Sequence, residues 1–244
     1  MTLARHHFER VSAAEASAAA DPGEPINANA YELMLMKLAE DRRRLKLVQS
    51  VERKIEVKRK LLPEYAPWVD GVLSSGRGGQ DAVLMFVMVW HIDAGNYGDA
   101  LRIADYALRF DLAMPDAYQR TPATLIAEQI AEAAFIAQAS GEPFSLGVLS
   151  QAEELTRDKD MPDEVRAKLQ KALGVAYMAK AGEAPYSGAP RGWAEIARDH
   201  LRRALQLHDR AGVKKELERL DRALNKSAPA LRQADDGGPE TAPT

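Results

Sequence analysis

From Tyr31 onward the chain carries apolar residues at a seven-residue spacing. Tyr31, Leu38, Leu45, Glu52 and Arg59 hold one seam position, and Met34, Asp41, Val48, Ile55 and Leu62 hold the other. Seven of these ten are apolar, over more than four heptads, which predicts one long helix with a narrow coiled-coil-like seam. At 1.5 Å per residue such a helix spans about 50 Å, more than the width of a small domain. Its seam, Leu38, Leu45, Val48, Ile55 and Leu62, is therefore expected to pack on another copy or on a returning helix. Asn27 or Asn29 would cap its start. Pro63 would end it, and Pro67 would open the next helix, which carries Trp68, Val69, Val72 and Leu73.

Helical patterning continues beyond this point. Ser74 to Gln80, SSGRGGQ, is a glycine-rich connection. It lacks the Gly-Lys-Ser/Thr ending of a phosphate-cradling loop, and no strand precedes it. Val83 to Phe110 then predicts two antiparallel helices joined at AGNYG. The run Val83 to Trp90 has the composition of a buried strand as well, but no second β-rich segment is there to pair with it. Further helices are predicted over Thr121 to Gln138, Ser145 to Thr156 and, finally, VKKELERLDRALNK. Between them, LGVAYMAKAG and WAEIARDHLRRALQL match a tetratricopeptide-type helix pair at Leu173, Gly174, Tyr177, Ala197, Leu201 and Ala204. Ala100, Ala104 and Ala107 repeat that pattern more faintly. Two imperfect copies predict α-hairpins with an interaction face, not a solenoid.

The expected fold class is thus all-α: a long N-terminal coiled-coil-like helix followed by a bundle of α-hairpins with tetratricopeptide-like character. Residues 1–26, Ala-rich and closed by DPGEP, are expected to form a mobile arm with at most a short helix. Residues 27–75 form the long helix and its successor, residues 76–226 a helical-hairpin domain, and residues 227–244 a disordered Pro/Gly/Asp tail.

Charge changes this picture from a scaffold to a binder. The 244 residues have a formal net charge of −3, yet the 24 residues from Lys37 to Lys60 contain ten Lys or Arg against four acids. That segment is +6 and the remainder −9. Such a concentration of like charge attracts polyanions. Arg42, Arg43, Arg44, Lys46, Arg53, Lys54, Lys58 and Lys60 lie off the seam and are the candidate residues for holding a polyanion, whereas Arg59 lies on the seam and is expected to pair with Glu52 or Asp41 of a neighbour. A solvated coiled-coil face is the plainer reading of the same run.

Chemistry is less evident. Cysteine is absent, which removes thiolate chemistry and disulfides. The longest apolar run, Ala82 to Trp90, is too short to cross a bilayer, and residues 1–26 lack an apolar core of signal-peptide length. The five histidines are scattered, and none accompanies an acid in a metal-binding motif. Acid-x-Lys occurs at Glu52-Arg53-Lys54 and Glu56-Val57-Lys58, and acids crowd Asp158, Asp160, Asp163 and Glu164. Neither group has the clustered carboxylates with which a nuclease holds Mg²⁺. No metal site, cofactor or catalytic residue is expected.

Several blocks resemble the small terminase subunits of temperate tailed phages that package cohesive-ended DNA. They are RVSAA at Arg10 to Ala14, YELMLMKLAEDRRRLK at Tyr31 to Lys46, KRKLLPEYAPWVDGVL at Lys58 to Leu73, GRGGQDAVLMFVMVW at Gly76 to Trp90, DALRIADYAL at Asp99 to Leu108, MPDEVRAKL at Met161 to Leu169 and AGVKKELERL at Ala211 to Leu220. The resemblance implies a subunit that binds the cos region of phage DNA, forms a homo-oligomeric ring in the host bacterial cytoplasm, and presents DNA to a large subunit. ATP, Mg²⁺ and nuclease chemistry would belong to that large subunit. Proteins of this type have also been labelled the endonuclease component, so a nuclease in this chain is the alternative. A purely protein-binding scaffold, docking the large subunit through its hairpins, is a third reading. Members of the family can end in a Lys/Arg-rich tail, whereas here the tail carries Asp235, Asp236 and Glu240, so more of the DNA contact falls on Lys37 to Lys60.

Overall fold

The computed structural model describes residues 3–226, and among them every regular element is helical. The helices are α1 (Leu3–Ala19), α2 (Asn29–Leu47), α3 (Val51–Ser75), α4 (Ala82–Ala94), α5 (Tyr97–Arg109), α6 (Pro122–Ala139), α7 (Leu146–Thr156), α8 (Asp163–Ala181), α9 (Gly188–Leu207) and α10 (Lys214–Lys226). The all-α expectation is met. The tail expected to be disordered, residues 227–244, lies outside the described residues.

α4 is the centre of the core because it is apolar on every side, with ten of its 13 residues buried. α2, α3 and α5 surround it. The Asp81 carboxylate caps α4, accepting the Leu84 N–H (2.9 Å) and the Trp68 indole N–H of α3 (2.8 Å). Trp68 stacks on Tyr31 of α2, whose hydroxyl accepts the Ala82 N–H. One helix start therefore ties three helices together. A second buried carboxylate, Asp41 of α2, accepts from the Tyr65 hydroxyl of α3 and from Lys37, which also pairs with Glu64.

Four expectations are corrected. The predicted single long helix is two helices, broken at Val48–Ser50, where Ser50 accepts the Arg53 N–H and caps α3. Apolar heptads run across the break because α2 and α3 both bury that face in the chain's own core. α3 does not stop at Pro63 but continues through both prolines to Ser75. Burial of Leu62, Tyr65, Trp68, Val69 and Val72 outweighs the roughly 3 kcal/mol that an interior proline costs a helix. Neither Asn27 nor Asn29 caps α2, since Ala28 holds that position without a side-chain bond.

Residues 3–19, expected to be part of a mobile arm, form α1 packed along α3. Small residues allow this. Gly71 lies so close to α1 that a Cβ there would sit 2.3 Å from the Arg10 carbonyl oxygen, while Ala13, Ala16 and Ser17 bury themselves on the other side. The linker after α1 pairs with the SSGRGGQ connection through Gly23 N–H to Gly78 O and Gln80 N–H to Glu24 O. The Tyr106 hydroxyl accepts the Gly78 N–H. Those loop amides are thus engaged within the protein.

The C-terminal third forms a second cluster on α8, α9 and α10, joined to the first through α6 and α8. α8 and α9 are antiparallel, and Gly174 fits directly against Leu201 and the Ala197 carbonyl. His200 stacks on Tyr177 and shares a hydrogen bond with Gln170. Burial lowers the His200 pKa below the ordinary imidazole value, the nearby acids Glu153 and Asp199 opposing it.

Burial raises the Asp81 carboxyl to about 6, even though its bonds from Leu84, Trp68 and Val83 favour the ionised form. A folded pKa above the unfolded one means that protonation favours the folded chain. This contribution is fully present below about pH 4 and is lost as pH rises through about 6. The difference in unfolding free energy between the native chain and Asp81→Asn, measured by urea titration, should fall between those two pH values and be level above pH 7. A difference independent of pH would show that Asp81 does not titrate in that window.

Candidate nucleic-acid interface

The basic run of the sequence folds onto the end of α2, a three-residue elbow and the first half of α3. The structure separates its cations by task. Arg42 lies over the Phe86 ring of α4, 4.1 Å from its centroid, and is part-buried. Lys58 pairs with Asp93 at the end of α4. Arg59 donates twice to the Ala94 carbonyl, at 3.1 Å from both Nε and Nη2, and so satisfies the C-terminus of α4. The expected pairing of Arg59 with Glu52 or Asp41 of a neighbour is replaced by this contact within the chain. Lys37 and Lys58 hold α2 and α3 in place in the same way.

A second group faces outward. Arg43 and Arg44 are exposed and share one carboxylate, Glu40, at 2.9 and 3.2 Å, and Arg44 also lies 3.7 Å from the buried Asp41 carboxylate. Exposed pairs of this kind contribute little and exchange readily for another anion. Lys46, Arg53, Lys54 and Lys60 have no ion-pair partner among the described residues. Lys46 follows Arg44 at the C-terminal end of α2, where the helix dipole favours positive charge. Arg53 and Lys54 stand in the first turn of α3, whose outward N–H groups also favour an anion. Leu47 and Val51, 85% and 70% exposed, form the apolar tip of the elbow between these cations.

The proposed oligomerisation seam is largely internal. Leu38, Leu45 and Leu62 are buried at 7% exposure or less in the chain's own core, so they offer nothing to a second copy. Val48 and Ile55 are part-buried. The apolar side chains left outward on α2 are Leu33 and Met36, beside Leu47 at the elbow. The seven-residue spacing found the buried face, but not whether the chain's own core or a second copy covers it.

Catalytic chemistry finds no matching assembly. Glu52 and Glu56 are exposed on α3, and among the described residues no three His, Asp or Glu side chains are grouped to hold a metal ion. His91 sits against α5 with its Nδ1 4.0 Å from Asp99, and burial depresses its pKa, Asp99 opposing and Arg102 adding to that effect. No described helix is long and apolar enough to cross a membrane.

Comparison with known proteins settles the lineage. The model of the family described as phage small terminase subunit matches residues 35–164, more than half of the chain. The chain belongs to the phage small terminase subunit family. It is 46% identical over 221 residues to the "Terminase, endonuclease subunit" of Escherichia phage P2, covering 91% of this chain and 85% of that protein. It is 26% identical over 200 residues to the "Probable terminase, endonuclease subunit" of Haemophilus phage HP1, covering 81% and 71%. No solved structure matches it. The family match begins within α2 and ends at the second residue of α8, so it contains the elbow and the α4 core that supports it.

For this family member, Arg59→Ala should lower unfolding stability by about 1 kcal/mol, because the bonds to Ala94 are no longer made. Retention on immobilised heparin, a polyanion probe, should stay unchanged. A variant of native stability that elutes from heparin at lower salt would show that Arg59, which is exposed, meets the polyanion instead of the Ala94 carbonyl.

Proposed function

We propose that this terminase small subunit binds the cos region of concatemeric phage DNA and delivers it to the large subunit, which holds ATP and Mg²⁺ and carries the motor and nuclease chemistry. The observation that carries this reading is the group of cations at the α2–α3 elbow without an ion pair among the described residues, exposed Lys46 and Arg53 and half-buried Lys54, with exposed Arg43 and Arg44 beside them. They are free to neutralise phosphates because the other cations of the run already serve α4. Lys60, further along α3, extends the same surface. The subunit acts in the host bacterial cytoplasm as a homo-oligomeric ring. A single elbow reaches only a few phosphates, and repetition around a ring turns weak contacts into avidity. Outward Leu33 and Met36 supply apolar surface for such assembly in place of the buried seam residues. The hairpins Val83 to Phe110 and Val165 to Leu224 are the scaffold that docks the large subunit.

Replacing Lys46, Arg53 and Lys54 together by Ala should weaken binding to cos-containing duplex DNA. The slope of log affinity against log salt should flatten by about 3, close to 0.9 for each phosphate that the variant leaves unneutralised. Unchanged affinity and slope would remove the elbow from the DNA surface.

The names of the two relatives favour a second reading, in which this subunit itself cuts cos DNA. Its acids would be Glu52 or Glu56, each two residues before a lysine. Under the leading reading, the purified protein with Mg²⁺ and no large subunit leaves supercoiled cos plasmid intact. Nicking that disappears in Glu52→Ala or Glu56→Ala would overturn that reading in favour of the nuclease.

A further inference from the structure

The last helices carry a charge excess of their own. Residues 188–226 hold ten Lys or Arg against six acids, in a chain that is net acidic. On α10 the arrangement is regular. Val213, Leu217, Leu220 and Leu224 are buried against α9, and Lys215, Arg219, Arg222 and Lys226 follow at spacings of four, three and four residues. At 100° per residue these four side chains fall within a sector of about 60°, directly opposite the buried face. All four are exposed.

The acids of the same helix are placed off this stripe. Asp221 turns towards α9, where it pairs with Arg202 at 2.9 Å. Glu216 is part-buried, and only Glu218 reaches the stripe, at 3.4 Å from Arg222. Lys215, Arg219 and Lys226 have no ion-pair partner among the described residues. Arg210 and Lys214, at the turn into α10, extend the positive surface and likewise lack an ion pair among the described residues. Arg219, Arg222 and Lys226 also line a recess of about 460 Å³ against Pro185, so the stripe borders a concave surface.

We propose that the outer face of α10 is a second site for the phosphate backbone of duplex DNA, distinct from the elbow. The proposal rests on the DNA-binding reading given above and adds a second surface to it. From Lys215 to Lys226 the stripe is about 16 Å long. One strand of a duplex presents about five phosphates along that length of axis. Four cations on a rigid helix match a repeating anion of that spacing, and the contact carries no sequence preference. The elbow and α10 belong to different core clusters, so one subunit holds DNA at two separate places.

The test uses the full chain and a salt series with duplex DNA. Replacing Lys215, Arg219, Arg222 and Lys226 by Gln should flatten the salt slope by about 3.6, or 0.9 for each cation removed, and leave thermal unfolding unchanged, since all four face solvent. A charge-preserving variant, Arg219→Lys with Arg222→Lys, should keep the slope. If the Gln variant folds and retains the native slope, the proposal is overturned. If it keeps the slope but no longer captures the purified large subunit, the stripe is a protein-docking surface and the proposal fails in that way. A flattened slope in the Gln variant with no change in the elbow triple variant would uphold α10 and reject the elbow. A native chain that shows no salt-dependent DNA binding at all would overturn both.

Discussion

The start of α4 is the constraint on which the rest of the structure depends. Four groups meet there: the Asp81 carboxylate, the Trp68 indole, the Tyr31 ring and the first N–H groups of the helix. A helix buried on every side cannot leave those N–H groups to water, so the cap has to come from within the protein. Asp81 supplies it from the loop before α4, at the cost of a buried carboxyl shifted up to about 6. Because the same carboxylate also accepts from Trp68, the capping of one helix fixes the position of α3, and Trp68 in turn fixes α2 through Tyr31. The other end of α4 is held in a related way, by Arg59 on the Ala94 carbonyl and Lys58 on Asp93.

This division of labour explains why a strongly basic segment leaves only part of its charge outward. Arg42, Lys58 and Arg59 neutralise or cover α4, and Lys37 compensates the buried Asp41. A cation held against a buried partner is costly to withdraw, whereas one beside solvent is free to exchange ions. The outward set is therefore concentrated at the elbow, where α2 ends, α3 begins, and no neighbouring helix covers them. The break between α2 and α3 is essential to this arrangement. A continuous helix would have spread the same charges along some 35 Å of surface, at about 1.5 Å per residue.

Much of the fold was legible because the relevant signals are local. The two helices joined at Gly95 and Asn96, the Ser145 cap of α7 and the last helix follow from turn chemistry and apolar spacing. The break at Val48–Ser50 was obscured because its apolar residues stay in register across it. Its one sequence sign is Ser50 followed by Glu52, a capping residue with an acid in the first turn. α1 was hard to see for a different reason. It buries alanines against glycines, and close approach of backbones gives burial without large apolar side chains. The candidate site was legible as a charge excess, but not which cations remain outward. That choice depends on Phe86, Asp93 and Ala94, which lie on α4 and far along the chain from the basic run. The stripe on α10 was missed because its acids mask it in a simple count. Only the helical register separates Asp221, turned to α9, from the cations opposite.

The central claim is that phosphates meet the elbow and not the rest of the basic run. Hydrogen–deuterium exchange of the full chain, with and without cos-containing duplex, tests this most directly. The Val51 and Glu52 amides, at the start of α3, have no partner in the helix ladder and should exchange quickly in the free protein, whereas the Arg53 and Lys54 amides are held by the Ser50 hydroxyl and carbonyl. With DNA bound, exchange should slow over residues 46–54 and stay unchanged over residues 37–42, which already pack on α3 and α4. Slowed exchange across residues 37–42, with the elbow exchanging as in the free protein, would contradict the account.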